Sequence, residues 1–340
     1  MRYARFQGMG TGVVFHKGGD MLELMKLVNE ATTIAIAGHV RPDGDCVGSC
    51  LGLYNYLSEN TQGKQIDVYL ESVPAAFSFL KNTDAAISAA KQDMSYDLFI
   101  ALDCGSRDRL GFTEELFCSA KHTVSIDHHI SNTMFAEQNH VEGEASSTCE
   151  VLCGFFEENS ISKETAECLY LGIVHDTGVF KHSNTSRKTM DTAGSLLEKG
   201  VSASQVIDDS FYRKTYMQNQ ILGRCLLESI LLLDGKIIFS FVSQKMMQLY
   251  GAVPADLDGI IDQLRVTAGV EVAILVREEG AQLHKVSMRS NGKVDVSKIC
   301  CLFGGGGHKM AAGCTMNGSV HDVVNNLSGQ IEHQLKAYSE

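Results

Sequence analysis

Long apolar segments are missing from this sequence. No stretch approaches the roughly 18 consecutive apolar residues that a membrane helix needs, and the opening residues MRYARFQGMG lack the apolar centre of a signal peptide. No pair of cysteines has CxxC spacing either, so a zinc site built from thiolates has no support. These absences predict a cytoplasmic protein with no membrane partner.

Basic residues are in the minority. The chain has 29 Lys and Arg against 41 Asp and Glu, which gives a formal net charge of −12. This balance argues against a protein that coats long double-stranded nucleic acid, because such binding depends on a general attraction to phosphates. An anionic substrate therefore has to be held locally, by a specific site or by acidic side chains that metal ions neutralise.

Cysteine is plentiful, with eleven residues in the chain. Most lie inside apolar segments, as Cys50, Cys168, Cys225 and Cys300 do. In a chain of this size, this placement predicts buried, reduced thiols instead of a disulfide framework.

Short apolar runs rich in Ile and Val alternate with helical patterns in the first part of the chain. The predicted strands are Thr32–Gly38, Gln65–Leu70, Asp97–Asp103 and Thr123–Asp127. Such alternation is typical of a parallel sheet covered by helices on both faces. Two further predicted helices cover residues 146–158, capped by Ser146 or Ser147, and residues 163–176.

The length of 340 residues is comfortable for two domains. We predict an α/β protein with a parallel-sheet N-terminal domain over residues 21–195, a linker over 196–224, and a smaller mixed α/β substrate domain over 225–340. We also expect Met21, which opens an amphipathic segment after the triplet GGD, to be the natural start of the protein.

A polar cluster follows the first predicted strand. The motif GHVRPDGD places His39, Asp43 and Asp45 within seven residues, and Pro42 and Gly44 predict a turn there. Ligands of open parallel sheets bind beyond the carboxyl ends of the strands. A capped loop with incidental charges is the alternative, but one imidazole with two carboxylates favours a ligand site.

Two more aspartates end buried segments. Asp103 follows a predicted central strand, where a carboxylate is costly unless it is paired or bound to a cation. Pairing with Arg107 or Arg109 is the alternative to metal binding. Asp176 ends an apolar helix, and on its own it indicates no more than a helix end followed by a glycine turn.

The triplet Asp127, His128 and His129 ends another predicted strand. In a regular strand the two histidines would face opposite sides, so at a strand end we expect them to do different jobs. A solvated turn capped by Asp127 is the alternative.

Together these groups are expected on one edge of the sheet. The carboxylates and imidazoles at the ends of three strands and one helix supply six ligands for hard divalent cations. The number suits two ions that share one carboxylate, and the presence of imidazole favours Mn²⁺, with Mg²⁺ as the alternative. Two such ions about 4 Å apart activate a water and stabilise charge at phosphorus.

A second candidate site lies near the C-terminus. The segment LFGGGGHKMAAG contains a run of four glycines, Gly304, Gly305, Gly306 and Gly307. Glycines let the backbone approach an anion closely, and the next residue, His308, can add a donor. A flexible loop is the alternative, but Arg289, whose guanidinium can grip a phosphate through two bonds, favours the anion site.

The four polar motifs resemble those of the DHH phosphoesterase superfamily, in the order GHVRPDGD, ALDCGSRDRLG, SIDHH and GIVHDTG. The tail RSNGKVDVSKIC with LFGGGGHKMAAG resembles the DHH-associated C-terminal domain, of the type found in bacterial nano-RNases that also dephosphorylate 3′-phosphoadenosine 5′-phosphate. The resemblance spans about Met21 to Lys336. This sequence departs from the family pattern at Cys46, where the family commonly has a small apolar residue. A cysteine can take the place of such a residue.

The resemblance implies a ligand set for each of two Mn²⁺ ions. One ion would be held by His39, Asp43 and Asp103, and the other by Asp45, Asp103, His128 and Asp176. Asp103 would then bridge the two ions.

The resemblance also implies the remaining roles. Asp103, His129 and Arg289 would take part in catalysis, and Asp127 would orient the histidines from behind. His129 would face the substrate phosphate, while Arg289 and the glycine run with His308 would bind the substrate.

The implied function is manganese-dependent hydrolysis of short oligoribonucleotides, linear dinucleotides included, or of 3′-phosphoadenosine 5′-phosphate. A manganese inorganic pyrophosphatase shares the metal motifs but carries a different C-terminal domain. A non-catalytic nucleotide sensor on the same fold has no need for a two-metal site. The expected partners are short oligoribonucleotides or small nucleotide phosphates. A second copy of the chain, in a homodimer, is a further possible partner.

Overall fold

Two units make up the chain, Met1–Arg213 and Lys214–Glu340. The computed structural model describes residues 13–14, 20–92 and 94–339. The predicted linker, residues 196–224, spans the division between the units, and its bounds and those of the two domains stay predictions. The expectation that Met21 is the natural start concerns residues 1–20. Of these, only residues 13–14 and 20 are among the described residues.

The first unit is built on a seven-stranded sheet in which every pair of neighbouring strands is parallel, in the order β1-β7-β6-β5-β2-β3-β4. The strands are β1 (Val13–Val14), β2 (Thr33–Ala37), β3 (Gln65–Tyr69), β4 (Ala86–Ile87), β5 (Leu98–Leu102), β6 (His122–Asp127) and β7 (Gln138–Val141). The helices are α1 (Asp20–Glu30), α2 (Gly44–Asn60), α3 (Glu114–Ser119), α4 (Thr148–Cys153), α5 (Lys163–Asp176), α6 (Arg187–Glu198) and α7 (Ala203–Ile207). The predicted parallel-sheet α/β architecture is confirmed.

Alternation along the strands divides the core of this unit into two layers. Leu98 and Ile100 of β5 pack in one apolar cluster, and Phe99 and Ala101 pack in another. Successive strand residues point to opposite faces, so a strand buried on both faces reads as a continuous apolar run. This burial leaves the carboxyl ends of the strands as the place where polar side chains can lie.

The second unit contains a six-stranded mixed sheet in the order β12-β13-β11-β10-β9-β8, with only the β9–β10 pair parallel. Its strands are β8 (Ile230–Leu232), β9 (Ile237–Val242), β10 (Val272–Gly280), β11 (Leu283–Ser290), β12 (Gly306–His308) and β13 (Ala311–Asn317). Its helices are α8 (Tyr216–Leu227), α9 (Gln244–Tyr250), α10 (Ile260–Arg265), α11 (Val296–Leu302) and α12 (Val320–Ser339). The predicted mixed α/β unit is confirmed.

Shorter helical turns complete the description. The 3₁₀ segments are Ala75–Phe77, Thr83–Ala85, Arg107–Thr113, Glu158–Ser160 and Pro254–Leu257, and a π-helical turn covers Asp208–Tyr212. Over the ranges that the structure describes, every helix is too short or too polar to cross a membrane.

Candidate active site

The polar motifs of the first unit meet at the carboxyl ends of three neighbouring strands. His39 follows β2, Asp103 follows β5, and Asp127 ends β6. These strands are adjacent in the sheet, so the side chains that follow them are neighbours in space, as expected for a site of this fold class.

Asp103 lies at the centre of the cluster. Its side chain is almost fully buried, with one carboxylate oxygen, Oδ2, 3.5 Å from His39 Nε2 and the other, Oδ1, 3.7 Å from His128 Nε2. The hydroxyl of Thr148 donates a hydrogen bond of 3.0 Å to Oδ1. Its backbone φ of +57° is in the left-handed region, which Asp adopts more readily than most residues. One carboxylate therefore faces an imidazole on each side.

The alternative of an arginine partner for Asp103 is wrong. Arg107 instead forms an ion pair of 3.0 Å with Glu114. Among the described residues, the basic side chains within ion-pair distance of Asp103 are all imidazoles.

Asp45 is fully buried in the first turn of α2. Its carboxylate accepts hydrogen bonds from the backbone N–H of Thr148 at 2.6 Å and of Cys149 at 3.0 Å. Burial raises the pKa of Asp45 well above its usual range, and the nearby carboxylates of Asp103 and Asp176 raise it further. A bound cation beside Asp45 would stabilise the ionised form of this carboxylate and offset the cost of its burial. Asp45 therefore has the character of a metal ligand.

The exposed side chain of Asp43 lies beside the buried His39. Asp43 caps α2, because its Oδ1 accepts the N–H groups of Asp45 and Cys46, both at 3.1 Å. Its Oδ2 lies 3.7 Å from His39 Nε2. Partial loss of hydration acts to raise the pKa of Asp43, but the nearby imidazole of His39 and the hydrogen bonds from the backbone outweigh it and lower the pKa to about 2. The carboxylate is therefore ionised and available to a cation.

Strand β6 ends at Asp127, and this ending explains how two adjacent histidines serve one site. Beyond the strand, the rings of His128 and His129 lie with centroids 4.7 Å apart, and a nitrogen of each is within 3.7 Å of Asp103 Oδ1. The side chain of His128 is 14% exposed and that of His129 is 44% exposed.

The hydrogen bonds of the two histidines also differ. His128 Nε2 lies 3.0 Å from Asp176 Oδ2, whereas His129 Nδ1 donates to Asp127 Oδ1 at 2.7 Å. Asp127 accepts two more bonds, from the His128 backbone N–H and from the Asn132 amide. One histidine is thus surrounded by carboxylates, and the other has its ring held from behind.

The donor groups of this cluster suit divalent cations. Three groups have ligand atoms within 4.8 Å of one another, namely His39 with Cys46 and Asp103, Asp103 with His128 and His129, and Asp45 with His128 and Asp176. Buried carboxylates with imidazoles are the donors that Mn²⁺ and related ions accept. The cluster is therefore compatible with divalent metal binding.

The second unit brings its two anion motifs onto one row of its sheet. Arg289 on β11 is paired with Ala311 on β13, which is paired in turn with His308 on β12. Residues directly opposite in an antiparallel pair lie on the same face, so Arg289 and His308 flank one small residue. Arg289 Nε also lies 3.5 Å from Asp262 Oδ1.

The glycine run is partly a strand and partly a turn that needs glycine. Gly306 and Gly307 belong to β12 with His308, so the alternative of a flexible loop is wrong for this part. Gly304 and Gly307 have φ of +73° and +144°. A Cβ on Gly305 would lie 2.2 Å from the Gly313 carbonyl oxygen, which is far inside contact distance. The run is thus held in a defined conformation.

The two units match two known domains. Residues 33–173 match the DHH family, N-terminal domain, and residues 234–337 match the DHHA1 domain. The chain belongs to the DHH family.

Curated relatives of this DHH protein include the bifunctional oligoribonuclease and PAP phosphatase NrnA of Bacillus subtilis, 25% identical over 86% of this chain and 92% of that protein. The protein of the same name from Thermus thermophilus is 29% identical over 87% of this chain and 89% of its own length. A crystal structure of an exopolyphosphatase-related protein from Bacteroides fragilis, 24% identical, covers 95% of this chain and 98% of its own with a TM-score of 0.85, which establishes the shared fold. This DHH protein is a hydrolase that acts on phosphoester bonds.

Sequence reasoning missed the residues that hold the DHH carboxylates in place. Thr148 contacts both Asp45 and Asp103, and Asn132 donates to Asp127 at 2.7 Å and to the Cys104 carbonyl at 3.0 Å. The predicted N-cap of α4, Ser146 or Ser147, is confirmed at Ser147, which accepts the N–H of Glu150. The contact of the first N–H groups of α4 with Asp45 could not be predicted, because it depends on packing between segments about a hundred residues apart.

Gly172→Ala tests how tightly α5 of the DHH domain packs on this site. A Cβ at this position would lie 2.2 Å from Cys149 Sγ and 2.6 Å from Asp45 Oδ1. We expect the free energy of unfolding to fall by about 1–3 kcal/mol, the usual cost of an overpacked interior, and metal affinity to fall as Asp45 moves. Denaturant unfolding and a metal titration measure the two effects.

Gly194→Ala is the matched control. Gly194 lies in α6 with no atom within 4 Å of its added Cβ, so alanine should stabilise that helix by about 0.5–1 kcal/mol. Equal unfolding midpoints for the two variants would contradict the close packing of α5 on Asp45.

Proposed function

We propose that this DHH protein is a cytoplasmic, manganese-dependent phosphoesterase that hydrolyses short oligoribonucleotides, linear dinucleotides included, and 3′-phosphoadenosine 5′-phosphate. The observation that carries the proposal is the buried carboxylate of Asp103, which faces His39 on one side and His128 on the other at 3.5 and 3.7 Å. Relatives named oligoribonuclease and PAP phosphatase over most of this chain support the substrate class.

Each of two Mn²⁺ ions would have its own set of ligands, and Asp103 would belong to both sets. His39, Asp43 and Asp103 would hold one ion, and Asp45, Asp103, His128 and Asp176 the other. Imidazole among the donors favours Mn²⁺ over Mg²⁺. When bound, a pair of such ions supplies a water-derived nucleophile at neutral pH and stabilises charge on the phosphoryl oxygens.

The chain's own groups would orient the substrate. Asp127 fixes the His129 ring through Nδ1 at 2.7 Å, and this bond to a carboxylate raises the pKa of His129. In its protonated form, the ring can then also donate from Nε2 to a phosphate oxygen. Arg289 and His308, in one row of the second unit, together with the glycine run would bind a terminal phosphate or nucleotide. Donors fixed before the reaction stabilise developing charge without reorganisation.

The dependence of rate on RNA length tests the proposal. The chain carries a net charge of −12, so phosphates beyond those gripped by Arg289 and His308 should add little affinity, whereas a binder of long strands gains with each neutralised phosphate. We expect the highest kcat/KM for substrates of about two to five nucleotides and slow attack on strands of about twenty. A rate that rises steadily with length, measured with Mn²⁺ at fixed salt, would refute the short-substrate assignment.

Two further substrates in the same assay separate the alternatives. Phosphate release from 3′-phosphoadenosine 5′-phosphate supports the proposal. Preference for pyrophosphate would identify a pyrophosphatase, and binding of nucleotides with no turnover of any substrate would identify a sensor.

His128→Asn and His129→Asn should differ in kind. His128 lies among the carboxylates of Asp45, Asp103 and Asp176, so its loss should lower Mn²⁺ occupancy. His129, bonded to Asp127 and partly exposed, should be dispensable for metal binding, and its loss should lower kcat by about 10²-fold, as for removal of a charge-stabilising donor. Mn²⁺ titration followed by electron paramagnetic resonance, together with kcat at saturating metal, measures both. The same phenotype in both variants would refute separate roles.

A further inference from the structure

A thiol lies within the candidate metal site. Cys46 is in the first turn of α2, one residue after Asp45, and is fully buried. One ligand atom from each of His39, Cys46 and Asp103 lies within 4.8 Å of the other two. Cys46 Sγ is also 3.8 Å from the His39 carbonyl oxygen, so the side chain is directed toward the His39 segment.

The carboxylate of Asp43 is placed differently from this thiol. Asp43 Oδ1 is engaged in capping α2, and its side chain is 59% exposed. Its other oxygen, Oδ2, lies 3.7 Å from His39 Nε2. The three-membered ligand group that contains His39 is completed by Asp103 and Cys46, both buried. The inner side of this part of the site thus offers nitrogen, oxygen and sulfur.

Sulfur changes which ions such a site prefers. Carboxylates and water suit Mn²⁺ and Mg²⁺, imidazole suits zinc and similar ions, and thiolate is a soft ligand that selects thiophilic ions. The other thiols near the site do not join a ligand group among the described residues. Cys50 lies one turn further along α2, and Cys149 donates to the Asp45 carbonyl at 3.7 Å.

We propose that Cys46 is a conditional metal ligand, which gives the His39 and Asp103 side of the site an affinity for thiophilic divalent cations of the Zn²⁺, Cd²⁺ and Co²⁺ class. The inference rests on the proposed role of His39 and Asp103 as metal ligands. When such an ion binds, the S–H bond breaks, the proton passes to solvent, and a sulfur–metal bond forms with no change of oxidation state. Thiophilic ions then compete with Mn²⁺ at one position of the pair.

Cobalt absorption tests this directly, because a thiolate ligand adds a near-ultraviolet charge-transfer band to the visible bands of Co²⁺. Metal-free full-length protein titrated with Co²⁺ should show both kinds of band. Cys46→Ala and the near-isosteric Cys46→Ser should lose the charge-transfer band and keep the visible ones. Cys168→Ala, which removes a buried thiol from α5 whose sulfur accepts a hydrogen bond from Asn55, should keep both.

A competition titration against a chromophoric chelator adds a second readout. We expect Cys46→Ala to weaken Cd²⁺ binding by at least about tenfold, because a soft ligand is lost, and to change Mn²⁺ binding less. Equal changes for the two ions would overturn the inference.

The outcomes separate this inference from the proposed function. Visible cobalt bands with no charge-transfer band in the wild type would overturn the role of Cys46 and leave the metal site standing. A charge-transfer band that survives in both Cys46 variants would overturn it as well. No Co²⁺ binding at all would overturn the proposed metal site together with it. If both Cys46 variants fail to fold, X-ray absorption of the cobalt-loaded wild type has to show one sulfur ligand.

Discussion

Asp103→Asn is expected to abolish phosphoester hydrolysis while the fold persists. Asparagine keeps the shape of the side chain and tolerates the left-handed backbone at φ +57°, and its oxygen can still accept the Thr148 hydroxyl. The variant loses the charge that faces both His39 and His128. We expect kcat to fall by about 10³-fold or more, as for removal of a group that acts as part of a unit.

Kinetics with a dinucleotide and Mn²⁺, metal content and a thermal melt measure the outcome. The control is Asp97→Asn, next to the opposite end of the same strand, where Asp97 accepts the N–H groups of Thr32 and Thr33 and pairs with Lys121. That variant should lose some stability and keep its turnover. Activity of Asp103→Asn above about a tenth of wild type at normal metal content would contradict a shared carboxylate.

Arg289→Ala should have the second largest effect on catalysis. Its guanidinium is the strongest anion-binding group in the row that Arg289 forms with Ala311 and His308. We expect kcat/KM for 3′-phosphoadenosine 5′-phosphate to fall. The corresponding loss of transition-state stabilisation should be about 2–4 kcal/mol, the range for truncating one partner of a hydrogen-bonded charge pair. Arg289→Lys should recover only part of this loss, because an ammonium cannot form two parallel bonds to a phosphate.

Arg277→Ala is the matched control for Arg289. Arg277 belongs to the neighbouring strand β10 and pairs with Glu279, and the exposed fractions of the two arginine side chains, 21% and 32%, are similar. Its register partner is Lys285, four residues before Arg289 on β11. Similar losses of kcat/KM in the two variants would indicate a general charge effect and remove the case for a phosphate grip at Arg289.

The sequence was sufficient to predict where the polar motifs lie. Apolar runs buried on both faces indicate parallel strands, and polar side chains at their carboxyl ends then share one edge of the sheet. The structure brings His39, Asp103 and His128 together as this reasoning requires. Helix α5, predicted over residues 163–176, has those bounds, and it begins there because Ser162 caps its first turn.

Contacts between distant segments could not be predicted in the same way. The row that joins Arg289 to His308 depends on the register of three strands, which no local pattern determines. Thr148 contacts Asp45 across 103 positions of the chain. Cys46 reads as a small apolar residue in sequence, and only the direction of its side chain places the sulfur beside His39 and Asp103.

The candidate metal ligands come from four separate segments, which begin at His39 and end at Asp176. An unfolded chain cannot gather these groups, so an ion that binds them binds only the native state, and its binding free energy adds to the free energy of unfolding by mass action. Without that ion, the native state has to hold the carboxylates of Asp45, Asp103 and Asp176 around the single imidazole of His128. The cation would thus stabilise the folded arrangement of the sheet edge, and the free energy of unfolding would rise with the free metal concentration around the protein.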